Sequence, residues 1–257
     1  MRSMSLSPET MAWLKWMVIT SVPLRRLGAG GAVQARASGC MIDYLGRRFV
    51  LATPHVVTRE STGWAIDLGN RQGGGAEIFT PTGFAYAGEF SRGATLPFRE
   101  TDFCFAEVPT DLVSIYKHET FRGVFDVRPR HVFDTDLCVE PDLKQIYAFA
   151  GEVGTEFHEG VNALVADMVV YPGLRFLRQE DEMLVFQLPE EHPGHDQFVG
   201  CSGAPIVGRD GRPIALVCSG DSSTGTIRGI SLARQKVLLD FWCGEGQPAT
   251  LKGATRA

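Results

Sequence analysis

Between Ala35 and Ser231 the chain is a succession of short apolar runs broken by glycine and proline. "GCMIDY" and "FVLATP" are joined by "LGRR", and "WAIDL", "AEIFTP", "GFAYAGEF" and "TDFCFAEVP" follow with turn residues between them. "QIYAFAGEV", "ALVADMVVY", "MLVFQLP", "APIVG", "PIALVCSG" and "TIRGIS" continue the series. Apolar runs this short, bounded by turn signals, read as strands. Asp210-Gly211 in "RDGR" is a strong hairpin signal between "APIVG" and "PIALVC". The 29 glycines and 14 prolines are spread along the chain rather than pooled in one linker. The expectation is an all-β chain of about a dozen strands without internal repeats, and that many antiparallel strands close into barrels or sandwiches.

Only the two ends read as helices. "SPETMAWLKWMVIT" has Ser7 as N-cap, Pro8 at the first helical position and Glu9 in the first turn. The run "MAWLKWMVITSVPL" carries Lys15 and is too short to span a membrane. Arg25 and Arg26 follow it, the wrong order for a signal peptide. The helix is expected to pack on the body of a cytoplasmic protein. "LARQKVLLDFW" brings Leu232, Leu239 and Trp242 near helical spacing with Val237, Leu238 and Phe241. The mixed stretch from Thr120 to Asp136 is the expected crossing between two halves.

A chain of 257 residues with 44% apolar and 21% charged residues reads as an ordinary globular protein with a sizeable core. Its net charge of −5 offers no basic excess for nucleic acid. The six cysteines, Cys40, Cys104, Cys138, Cys201, Cys218 and Cys243, lack a tight recurring spacing and read mostly as reduced core thiols. No CxxC occurs, which argues against a cysteine zinc site. "PEEHPGHDQF" holds His192, His195, Glu190, Glu191 and Asp196, and reads as an exposed acidic loop rather than a metal site.

Three polar residues stand where apolar runs begin or end. "FVLATPHVV" ends its strand near His55, and "ETDFCFAEVP" opens one with Asp102. "VGCSGAP" sets Ser202 between Gly200 and Gly203, in a turn before a strand. Glycines there let the backbone bend sharply and leave N–H groups to face a developing oxyanion. Serine is a poor nucleophile until an imidazole takes its proton, and the imidazole needs an acceptor to fix its tautomer. A base and an acid in the first half and a nucleophile in the second fit acyl transfer.

With these motifs the chain resembles the chymotrypsin-like (trypsin-like) serine peptidases. "SGCMIDYLGRRFVLATPHVV" looks like the family's first-barrel hairpin with its histidine, "TDFCFAEV" like its aspartate strand, and "VGCSGAPIVGRDGRPIALVCSG" like its nucleophile loop and following strands. The likeness runs from about Ala35 to Phe241, nearer the bacterial branch than the digestive enzymes. It implies two six-stranded antiparallel β-barrels with a short N-terminal and a C-terminal helix. Residues 1–34 would be a helical extension and first strand, 35–125 the first barrel, 126–243 the second barrel with the C-terminal helix, and 244–257 a tail. The active site would lie in the cleft.

The resemblance gives His55 as general base, Asp102 as its orienting acid and Ser202 as nucleophile. It gives the N–H groups of Gly200 and Ser202 as the oxyanion hole. Asp196 falls where trypsin keeps the acid of its specificity pocket, and Cys218, Ser219 and Gly220 fall on the pocket wall and the edge that pairs with substrate. No cofactor or metal is implied, and the partner is a protein or peptide substrate. Cys201 stands where zymogen-activated members keep an aspartate that pairs with the new N-terminal amine, so that switch is not expected here. Pro54 and Ala204 replace the family's alanine and glycine, and Val56 stands where a disulfide cysteine follows the histidine. Cys201 is the rival nucleophile, but register against Gly203 favours Ser202. A protease in the cytoplasm needs restricted specificity or an activating partner protein. The competing reading is a catalytically inactive fold of this kind used as a protein-binding module.

Overall fold

The computed structural model describes residues 7–28, 33–54, 57, 63–70, 76–90, 98–120, 123–134, 137–158, 163–190 and 198–244. Helix α1 (Pro8–Met17) starts as its sequence dictates: the Ser7 hydroxyl accepts the Thr10 N–H at 3.2 Å, and Pro8 occupies the first turn. Strands β1 (Val22–Leu27), β2 (Val33–Tyr44), β3 (Arg47–Ala52), β4 (Trp64–Asn70), β5 (Ala76–Phe79), β6 (Ala85–Phe90) and β7 (Phe98–Val108) follow. They form one antiparallel sheet in the order β5-β4-β1-β2-β3-β7-β6. The β2–β3 turn has Leu45 at φ +51° and Gly46 at φ +76°, the left-handed pair that matches the twist of a tight hairpin. Among the described residues no pairing joins β5 to β6, so this half is a seven-strand path where six strands were expected. β1, "VPLRRL", is the first strand expected within residues 1–34.

The expected crossing at 120–136 is something else. β8 (Ile115–Thr120) and β9 (Gly123–Pro129) make a separate two-stranded hairpin. β10 (Val132–Asp134) then returns to the first half and pairs in parallel with Met41–Asp43 of β2, although its residues fall in the span expected for the second barrel. Only after it does the chain enter the second half. There β11 (Ile146–His158), β12 (Ala163–Glu180), β13 (Met183–Gln187), β14 (Pro205–Gly208), β15 (Pro213–Asp221) and β16 (Thr226–Ser231) close a six-stranded barrel in the order β11-β12-β13-β16-β15-β14. Gly211, at φ +80°, makes the turn that "RDGR" signals. Helix α2 (Leu232–Cys243) ends on Gly244 at φ +84°. Sixteen strands are present among the described residues, against the dozen expected, and the fold is all-β with a helix at each end.

Three apolar clusters fill the molecule. One lies inside the first half around Leu24, Met41, Val50 and Ile66, and one inside the second barrel around Tyr147, Phe149, Leu184 and Phe186. The third is the seam between the halves, where Phe49, Phe103, Phe105 and Phe133 meet Ala148, Val207, Leu216 and Ile230. Met17 of α1 and Leu232 and Leu239 of α2 belong to this seam.

The helices dock across it. Trp13 of α1 lies under Arg209 of the second half, 5.9 Å from guanidinium to ring, and Arg209 also donates to the Thr10 hydroxyl at 2.9 Å. α2 holds the first half through Tyr44–Asp240, through Arg47 donating to Trp242 O at 3.1 Å, and through an edge-on Phe105–Trp242 contact at 5.3 Å. The seam depends on β10, so Phe133→Ala, which empties a site only 2% exposed, is expected to lower unfolding free energy in urea by about 3–4 kcal/mol.

Candidate active site

The "VGCSGAP" stretch forms a compact turn leading into β14. Cys201 N–H donates to Phe198 O at 3.0 Å, Ala204 N–H to Cys201 O at 2.9 Å, and Gly203 N–H to Val217 O of β15 at 2.8 Å. Gly200 and Gly203 have φ of +100° and +85°, a region that other residues enter at a cost. Space forbids a side chain as well. A Cβ on Gly203 would lie 2.0 Å from Ser38 O of β2, and one on Gly200 would lie 2.3 Å from Glu152 O of β11. Ser202, between them, is partly exposed. Among the described residues no backbone acceptor takes the N–H of Gly200 or of Ser202. Two donors in one turn beside a serine hydroxyl are suited to a tetrahedral oxyanion.

The turn sits against the strand that leads to His55. Ala52, the last residue of β3, has its Cα 3.6 Å from the position of a Gly203 Cβ. Ala52 also pairs with Cys104 of β7, two residues from Asp102. The β3 end, the Asp102 strand and the Ser202 turn therefore converge. His55 itself lies outside the described residues, as do Asp196, His192 and His195.

Asp102 is half-buried and meets the second barrel through Cys218. The Cys218 thiol, on β15, donates to Leu216 O at 3.4 Å and lies beside the Asp102 carboxylate. Burial pushes the thiol's pKa well up, and the adjacent carboxylate pushes it further, so the group stays a protonated donor. No local signal in the sequence marks the place of Cys218 beside Asp102. Ser219 and Gly220 follow it on β15, both exposed. Behind Asp102 lies an acidic hollow bordered by Glu180, Asp181 and Glu182, with Arg228 paired to Glu180 at 3.1 Å.

Cys201 points the other way. It is fully buried among apolar residues of the second barrel, and its sulfur lies 2.6 Å from where a Gly151 Cβ would be. Burial pushes its pKa up to about 12, so almost no thiolate exists near neutrality. All six cysteines are free thiols. Among the described residues no group of three His, Cys, Asp or Glu side chains is placed to hold a metal ion.

Neither a protein-family model nor a curated protein sequence matches the chain. Solved structures do match its shape. A serine endoprotease from Yersinia pestis aligns at TM-score 0.55 and 11% identity, covering 95% of this chain and 69% of that one. Human heparin binding protein aligns at TM-score 0.58 and 11% identity, covering 91% and 95%. A scabies mite inactivated protease paralogue aligns at TM-score 0.55 and 9% identity, covering 92% and 96%. At such identities the likeness is one of fold, the two-barrel all-β fold of chymotrypsin-like proteins.

The two environments of sulfur are separable by alkylation. In the native protein at pH 8, iodoacetamide is expected to modify the exposed Cys138 and to leave Cys201 untouched until denaturant is added, with peptide mass spectrometry as the readout.

Proposed function

We propose that the chain is a serine endopeptidase that cleaves peptide bonds through an acyl-enzyme, with Ser202 as nucleophile, His55 as base and Asp102 as orienting acid. The observation that carries this reading is the Ser202 turn, where two N–H groups have no backbone acceptor among the described residues. In the proposed reaction His55 takes the Ser202 proton as Oγ attacks the scissile carbonyl. The carbonyl oxygen becomes an oxyanion held by the N–H groups of Gly200 and Ser202. His55 then gives its proton to the leaving amine, and water hydrolyses the acyl-enzyme by the reverse sequence. Asp102 accepts from His55 and orients the imidazole. A reducing, cytoplasmic setting belongs to this reading, since none of the six cysteines is in a disulfide.

The fold alone does not decide for catalysis, since one neighbour is named as heparin binding and another as an inactivated protease. The second reading is accordingly a binding module on the same scaffold. A fluorophosphonate probe separates them. Wild type is expected to be labelled at Ser202, and Ser202→Ala is expected to lose labelling and to lower turnover by about 10⁴-fold. An unlabelled, folded wild type sinks the peptidase reading. If Cys201→Ala abolishes turnover instead, the nucleophile is misassigned. Asp196 is proposed as the specificity acid. It predicts faster cleavage after Lys or Arg than after apolar residues, and equal rates on the two peptide sets discard that role.

A further inference from the structure

In place of the aspartate that an N-terminal amine would lock, this chain has a neutral, buried cysteine. Something else must hold the oxyanion turn, and the described contacts supply it. Ser38, on β2 of the first half, is 1% exposed and makes two bonds to the turn. Its N–H donates to Ser202 O at 2.9 Å, and its hydroxyl donates to Gly200 O at 2.7 Å. These two carbonyls flank Cys201.

Each peptide unit is planar, so fixing its carbonyl sends its N–H the opposite way. The unit bearing the Ser202 N–H carries the Cys201 carbonyl, and that carbonyl is held by Ala204. The unit bearing the Gly200 N–H carries the Val199 carbonyl, for which no backbone donor is present among the described residues. Glycine at position 200 places little torsional restraint on that unit. Its orientation therefore rests on what restrains Gly200 from either side. On one side the Ser38 hydroxyl pins the Gly200 carbonyl. On the other the Glu152 carbonyl walls the α-carbon.

That wall is itself tied down. The Glu152 carboxylate, 12% exposed, is ion-paired with Arg25 of β1, and the same guanidinium nitrogen reaches Asp67 of β4 at 3.3 Å. The Ser21 hydroxyl donates to Ala150 O, two residues before Glu152. Breaking a buried pair leaves an uncompensated charge, so the pair fixes geometry more than it adds stability.

We infer that Ser38, backed by the Arg25–Glu152 pair, is a positioning residue that holds the Gly200 N–H toward the oxyanion and so replaces the missing ion pair at residue 201. It touches neither substrate nor reacting atoms and acts through Gly200. The inference rests on the serine-peptidase reading, and one experiment separates the two. Wild type, Ser38→Ala and Glu152→Gln are counted for reactive Ser202 with a fluorophosphonate, then assayed with p-nitrophenyl acetate and for inhibition by phenylboronic acid, a tetrahedral adduct former.

For Ser38→Ala, kcat per titrated site is expected to fall roughly 30-fold at constant KM, below the loss for deleting an oxyanion donor outright. The phenylboronic acid inhibition constant should rise by a similar factor. A residue with a merely structural role would change the titrated fraction and leave both values per site intact. That outcome overturns the inference while leaving the nucleophile assignment standing. A wild type with neither labelling nor ester hydrolysis overturns the peptidase reading and this inference with it. Should Ser38→Ala fail to fold, Glu152→Gln carries the test: a lower kcat at constant KM supports the inference, and an unchanged kcat per site refutes it.

Discussion

At Gly203 two backbones touch with no room for a side chain, and the arrangement of the site depends on that contact. The Ser38 carbonyl of the first half occupies the space that a Cβ at position 203 would need. The turn carrying Ser202 therefore docks directly on β2 and on the end of β3, without a spacer of side chains. Apolar packing at the seam supplies the driving force, since Phe49, Phe103, Phe105 and Phe133 are buried against residues of the second barrel. The glycine contact sets the distance at which that packing stops. Hydrophobic burial is non-directional, so it presses the halves together without choosing their register. Choice of register falls to contacts like this one and to the hydrogen bonds around it.

The polar groups in the seam act in the same sense. Arg25, Asp67 and Glu152 come from three different strands, and Arg130 reaches back to Ser21 O at 2.6 Å. Burial and its cationic neighbour Arg25 pull the Arg130 pKa down to about 10, against the upward pull of Glu152 and Asp67, yet the group stays charged at neutral pH. Such pairs contribute little net stability compared with apolar replacements. They penalise any arrangement that separates them, which favours one alignment of the strands they join.

Much of this was legible from local pattern. The Ser7 cap, the Leu45-Gly46 and Asp210-Gly211 turns and the glycine-flanked Ser202 all express backbone preferences within a few residues. What escaped was contact between distant parts. The burial of Arg25 in β1 has no local signal, because its partner Glu152 is 127 residues away. β10 is three residues long and gains its identity only by lying beside β2. Ser38 looks like any strand serine until its hydroxyl meets Gly200, 162 residues on. The assignment of His55 and Asp196 stays with the sequence, since both lie outside the described residues.

The crossed docking of the two helices bears on how the molecule is made. α1 is synthesised first but rests partly on Arg209 of the second half, and α2 is synthesised late but clamps Tyr44, Arg47 and Phe105 of the first. Neither half owns a complete set of its own supports. A ribosome-bound chain that stops short of Trp242 lacks the contacts that α2 makes with Arg47 and Phe105. These cross-braces are completed only after synthesis has passed that helix, later than the strands they hold.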